Sequence, residues 1–194
     1  MSEQDKAHTP EHAQAGAHSG LRLQFVHQDY QSRAVQAVVQ AFDGQPMASA
    51  AFELQQTPGS VDYAPDGSIS NRLLIAEAHM LQNVQKVQAA HGIAPVAELA
   101  ADRAEDGAAD KRFCPHFTLE METGTGKTYT FIKTMYELNK VYGFKKFVIV
   151  VPSVAIREGT MKNLAVTRSH FAQDYGRVPC VQILYDSSRL NDLR

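Results

Sequence analysis

The stretch Glu120–Thr130, EMETGTGKTYT, constrains the fold of this chain more than any other. Gly124 and Gly126 are followed at once by Lys127 and Thr128, with apolar, strand-like residues before and helical periodicity after. That order predicts a strand, a glycine turn and a helix. Such a turn turns successive backbone N–H groups inward at a helix N-terminus, where free donors and the helix dipole both favour an anion. Gly124 and Gly126 allow a backbone path that side chains would obstruct. Lys127 would set a point charge against the β- and γ-phosphates, and Thr128 would offer its hydroxyl to Mg²⁺. One residue departs from the usual spacing, G-x-x-x-x-G-K-[ST]: Met121 stands where the first glycine belongs. That position only starts the turn, so the nest Thr123, Gly124, Thr125, Gly126, Lys127, Thr128 is expected to form without it.

The flanks extend the pattern. The run FTLEM predicts a short strand before the turn, and YTFIKTMYELNKVYG a helix closed by Gly143. The run KKFVIVVP is continuous, apolar and β-branched, as in a parallel strand covered on both faces. A further helix is expected over SVAIREGTMKNLAVTRSHF, capped by Ser153, and a last strand over CVQILYD. Strand, helix, strand, helix, strand implies a parallel sheet with right-handed crossovers.

The first half reads differently. Val35, Val38, Val39 and Phe42 recur at helical spacing, ended by Gly44 and Pro46. Residues 55–70 carry turn chemistry. A second helix is expected from Asn71, with Leu74, Leu81 and Val84 on one stripe and Gly92 as its stop. The acidic, alanine-rich stretch AELAADRAEDGAADKR predicts a mobile connection or weak helix. The first twenty residues are polar, with His8, His12 and His18 among them, and predict a solvated, disordered tail rather than a secretory signal.

Charge divides the chain in the same place. Residues 1–110 hold 6 Lys+Arg against 14 Asp+Glu, and residues 111–194 hold 13 against 7. The basic half carries the glycine turn, which suits a polyphosphate and a nucleic acid. The longest apolar stretch, residues 147–151, falls far short of the roughly 20 residues a membrane span needs, so no membrane role is expected. Cys114 and Cys180 stand alone without metal-ligand spacing, which predicts reduced thiols in a cytoplasmic chain and no zinc site.

A bare TGTGKTYT also suits kinesin-like motors, but the flanks do not. DYQSRAV heads a helix and resembles the glutamine-bearing element that reads adenine in superfamily 2 helicases. FVIVVPSVAIREG resembles helicase motif Ia, a buried strand leading to a helix N-terminus aimed at a nucleic-acid backbone. With LQNVQKVQAAHGI and ILYDSSRLNDLR, these segments resemble, from about Leu21 onward, the N-terminal part of the restriction (Res) subunit of type III restriction-modification systems. In that family a methionine in EMETGTGKT is ordinary.

The resemblance implies an α/β fold, a P-loop NTPase with a RecA-like parallel sheet that is incomplete here. Residues 1–20 would be a disordered tail, 21–112 a helical element with a long insertion, and 113–194 the first half of the ATP-binding domain. It implies an ATP-dependent, DNA-translocating endonuclease acting on double-stranded DNA with a partner methyltransferase subunit, Mod. By the same resemblance Lys127 and Thr128 contact ATP and Mg²⁺, and Gly124, Thr125 and Gly126 cradle the phosphates beside Thr123. Gln31 reads adenine, while Pro152, Ser153 and Arg157 meet the DNA backbone. No D-E-x-x motif follows the loop, so the chain is expected to be a fragment, inactive alone. Two rivals stand beside this reading: a type I restriction motor subunit, and a non-catalytic nucleotide-binding remnant.

Overall fold

The computed structural model describes residues 25–47, 71, 73–103 and 113–185. The expected tail and the turn-rich stretch at 55–70 lie outside them. Helix α1 (Asp29–Gln40) buries Val35 and carries Asp29 in its first turn, where the dipole favours a carboxylate. The chain leaves it through Gly44, whose φ of 91° needs a glycine. Helix α2 (Glu77–Ala90) starts later than the expected Asn71, so Leu74 is not on its stripe and is 42% exposed. Its buried residues are Met80 and Asn83, with Leu81 and Val84 packed at the margin.

Two apolar clusters form, and Phe42 belongs to both. One gathers Ile75, Met80 and Leu99; the other gathers Leu138, Tyr142 and Phe144. Buried amides complete the turns between the first two helices. The Gln45 Oε1 accepts from the N–H groups of Leu74 (2.8 Å) and Ile75 (3.2 Å). Asn83 donates from Nδ2 to the carbonyls of Asp43 (2.7 Å) and Ala41 (3.4 Å), satisfying groups that the end of α1 leaves open.

The expected parallel sheet is not present among the described residues. In its place a two-stranded antiparallel sheet pairs β1 (Ala101–Arg103) with β2 (Phe113–Pro115), in the register Ala101 to Pro115. β1 lies where a mobile connection or weak helix was expected. FTLEM forms no ladder, and Phe117 and Leu119 are exposed. FVIVV is also unpaired: Phe147 (38%) and Ile149 (37%) alternate with Val148 (90%) and Val150 (88%). That two-residue period is the burial signature of a strand. One of its faces leans on the protein, whereas the sequence predicted cover on both. The described part of CVQILYD, CVQILY, is likewise unpaired, with Val181 83% exposed. A strand exists only through its neighbour's backbone, and among the described residues none of these three segments meets one.

The two long helices form as expected. Helix α3 (Lys127–Tyr142) ends at Gly143, in the left-handed conformation (φ 72°), with its N–H on the Asn139 carbonyl at 2.9 Å. Helix α4 (Val154–Asp174) begins at Ser153, whose Oγ accepts from the Ile156 N–H at 3.3 Å. A row of rings joins them. Phe171, fully buried, stacks against Tyr129 and Tyr136 with centroids 5.2 and 4.9 Å apart, and Tyr175 continues the row at 5.3 Å from Tyr136. The Tyr175 hydroxyl donates to Glu137 at 2.6 Å.

Truncating Phe171 to alanine removes the centre of this row and should lower stability by about 3–5 kcal/mol. Val148→Thr, at a site the sequence alone would have buried, should change it by no more than about 0.5 kcal/mol. Denaturant midpoints of the two variants decide, and similar losses would mean that Val148 is packed. Tyr142, pushed up to about 12 by burial and then by Asp43, favours the neutral phenol in the fold. An unfolded tyrosine ionises near 10, so this contribution is full below about pH 10 and disappears as the pH rises through about 12. Tyr142→Phe should flatten that alkaline loss in a stability-versus-pH profile.

Candidate functional site

The turn Glu122–Gly126 is built almost wholly from main chain. Gly124 (φ 81°) and Gly126 (φ 83°) both take the left-handed conformation that a β-carbon disfavours. Thr125 closes the turn on Glu122, its hydroxyl donating to that carbonyl at 2.7 Å. Thr123 and Gly124 are exposed, and Thr125 and Gly126 are half-buried. Gly126 is the N-cap of α3 and no side chain caps that end, so the first turn keeps donors to offer.

Lys127 is the first residue of α3, and its ammonium bends back onto the turn. Its Nζ donates to the carbonyl of Glu122 at 2.7 Å and to the carbonyl of Met121. Met121 therefore takes part through its backbone oxygen, which any residue supplies. Thr128 follows, half-buried in the first turn of α3. These groups fit a magnesium-bound polyphosphate: an ammonium, a hydroxyl and an uncapped helix N-terminus meet on one turn. Among the described residues no group of three or more His, Cys, Asp and Glu could hold a metal ion.

The first turn of α1 reaches the same place from the other end of the sequence. Gln31 donates from Nε2 to the Thr125 carbonyl at 2.9 Å, and the Tyr30 hydroxyl donates to the same oxygen at 3.1 Å. The sequence marked Gln31 but gave Tyr30 no role. Helical spacing sets their backbone positions, but nothing in it tells that both side chains turn to one carbonyl.

The expected nucleic-acid contacts stand elsewhere, at the start of α4. Pro152 and Ser153 are exposed, and Ser153 spends its oxygen on the helix cap. Arg157 is engaged by its neighbour: Nε and Nη2 both donate to Glu158 Oε1, at 3.1 and 2.8 Å. Beyond the turn, in the first turn of α3, the Tyr129 hydroxyl shares a 2.9 Å hydrogen bond with His170, near the far end of α4. Burial, then the charge of Asp174, raises the Tyr129 phenol above its ordinary value, which keeps it neutral.

A glycine-framed turn opening a long helix, with its lysine and threonine in place and a glutamine-bearing helix laid against it, defines a phosphate-loop protein. The chain belongs to the family of type III restriction enzyme res subunits, which matches it over residues 24–179. That family implies a P-loop NTPase-like α/β fold and a helicase-like enzyme. Among its relatives, the EcoP15I Res subunit of Escherichia coli is 37% identical over 124 residues, 62% of this chain and 12% of that protein. The EcoPI Res subunit of Escherichia phage P1 is 36% identical over 111 residues, 56% of this chain and 10% of that protein. The StyLTI Res subunit of Salmonella typhimurium is 51% identical over 59 residues, 29% of this chain and 6% of that protein. The chain thus spans about a tenth of the length of the first two relatives.

The two turn glycines should respond differently to alanine. A β-carbon on Gly124 would meet nothing within 4 Å, so Gly124→Ala should carry only the left-handed backbone penalty of about 1–2 kcal/mol. A β-carbon on Gly126 would sit 2.5 Å from Gln31 Nε2. The flexible side chain would swing away and its bond to Thr125 would break. Gly126→Ala should therefore lose about 0.5–1.5 kcal/mol more than Gly124→Ala in urea denaturation. Equal losses would mean that Gln31 is not held there.

Proposed function

We propose that this chain is the ATP-binding portion of a type III restriction enzyme Res subunit, a cytoplasmic DNA-translocating endonuclease that works with a Mod methyltransferase subunit on double-stranded DNA. The observation that carries the reading is the glycine-framed turn with Lys127 and Thr128 at the N-terminus of α3, in a chain matched to the Res family over residues 24–179. Bound ATP·Mg²⁺ would supply the phosphoryl group whose transfer drives movement along DNA.

The chain's own residues would hold it. Lys127 would release the carbonyls of Met121 and Glu122 and turn its ammonium to the terminal phosphates, exchanging dipoles for full charges. Thr128 would offer its hydroxyl to the magnesium ion. Thr123, Gly124, Thr125 and Gly126 would surround the phosphates with backbone N–H groups. Gln31 spends one N–H on Thr125. Its second N–H and its amide oxygen can meet the complementary edge of adenine, N7 and the exocyclic amine. The first-turn N–H groups of α4 that Ser153 leaves free, beside Pro152, and the guanidinium of Arg157 would meet DNA phosphates, once Arg157 leaves Glu158. Its present pairing is exposed and of little energetic weight.

Titration calorimetry of the 194-residue chain with ATP·Mg²⁺ tests the reading. Lys127→Ala should weaken binding at least tenfold, the scale of a hydrogen bond to a charged group. Equal affinity in the variant and the parent would remove this loop as the site. Phosphate release should stay near background, because transfer needs charge neutralisation worth about 10³–10⁵ in rate from an arginine finger. Turnover by the chain alone, lost in Lys127→Ala, would show that these residues hold a complete catalytic set.

A further inference from the structure

We infer that Tyr30 is a positioning residue for the phosphate loop: its hydroxyl, with Gln31, fixes the carbonyl of Thr125 so that the next N–H faces the phosphates. The inference rests on the nucleotide-binding reading of the loop but assigns a role that reading does not contain. A carbonyl oxygen accepts two hydrogen bonds, and the Thr125 oxygen receives two, from Tyr30 at 3.1 Å and Gln31 at 2.9 Å. The peptide joining Thr125 to Gly126 is trans, so its N–H points opposite to its C=O. Drawing the oxygen toward α1 therefore aims the Gly126 N–H away from α1. Gly126, at φ 83°, could otherwise take several orientations, because glycine is permissive on both sides of φ. Neither donor comes from the loop. The clamp belongs to a helix more than ninety residues earlier in the chain.

The two donors are not equivalent. Gln31 has a polar edge to spare for a base, whereas Tyr30 brings one hydroxyl, committed to the loop. Tyr30 is 41% exposed, so losing its hydroxyl leaves no buried cavity and the fold should persist. A phosphate-positioning role predicts equal effects on every ligand that fills the nest, whatever its base. A base-reading role predicts altered selectivity among bases.

The test uses Tyr30→Phe in the 194-residue chain, with melting temperature as the check on folding. Affinities for ATP, GTP and inorganic triphosphate, each with Mg²⁺, should fall together by about three- to tenfold, the size of one neutral hydrogen bond. The ATP-to-GTP ratio should not move, while Gln31→Ala should shift it. Unchanged affinities, or a changed base ratio with triphosphate binding intact, would overturn the inference. Wild-type protein that binds no ATP would instead overturn the nucleotide reading, and the clamp would still be open to a ligand-free measurement. The Gly126 amide resonance in an NMR spectrum responds to hydrogen bonds on the preceding carbonyl. It should shift in Tyr30→Phe, and an unmoved resonance would show that the hydroxyl does not hold Thr125.

Discussion

Helix α1 is tied to α3 at both ends, and everything near the glycine turn takes its place from that pair. At one end Tyr30 and Gln31 hold the Thr125 carbonyl. At the other the Tyr142 hydroxyl donates to the Val39 carbonyl at 2.9 Å and to Asp43 at 3.2 Å. First turn meets first turn and last turn meets last turn, so the helices run parallel. Parallel dipoles side by side repel, and both positive ends converge on the glycine turn. Each end behaves as roughly half a positive charge. A polyphosphate would place its charge at that shared positive end, beyond the single carboxylate of Asp29, which is the sense in which the fold itself favours a phosphate. The Lys127 ammonium stands at the same turn, on the carbonyls of Met121 and Glu122.

The helices were legible because their information is local. Valines at helical spacing, Ser153 before an apolar run and Gly143 after one each state a helix or its end without reference to distant chain. The structure places the cap bond of Ser153 and the left-handed turn of Gly143 where that logic expects them. The glycine turn was legible for the same reason, since backbone freedom at 124 and 126 is a property of those residues alone. Strands are different. FVIVV and VQILY state only that they would bury apolar side chains, and their backbones are satisfied by whatever lies alongside. The family supplies the α/β frame; the described residues supply a single antiparallel pair. Helix period can be counted in one segment, but pairing needs two.

Side-chain amides stand in for some of that missing backbone pairing, which is why they were hard to foresee. Asn71 accepts on Oδ1 from the N–H groups of Lys145 (2.8 Å) and Lys146 (3.2 Å), and donates from Nδ2 to the Lys146 carbonyl (2.6 Å). One amide thus presents a donor and an acceptor side by side, the same pair a neighbouring strand would present. It does so at the entrance to FVIVV, whose later residues find no such partner among the described residues. Gln45 and Asn83 act similarly around the end of α1 and the approach to α2. Asparagine and glutamine in a sequence read as surface residues, and only a count of unsatisfied backbone groups reveals why Gln45 and Asn83 are buried at 6% and 3% exposure.

Met121 shows how the same distinction applies to the site. A spacing rule written in side chains marks it as a defect, because glycine is the residue that adapts its backbone most freely. Freedom matters where φ is positive, at Gly124 and Gly126, or where a β-carbon would collide, at Gly126 against Gln31. At position 121 the loop uses a carbonyl, which any residue supplies, and Lys127 takes it. Tyr30 is the converse case. It satisfies no spacing rule, yet its hydroxyl reaches the peptide on which the turn depends. The residues that a motif omits and the residues that it forgives are both explained by asking which backbone group each one serves. For this turn the answer centres on a single carbonyl, that of Thr125, which helix α1 holds from outside the motif.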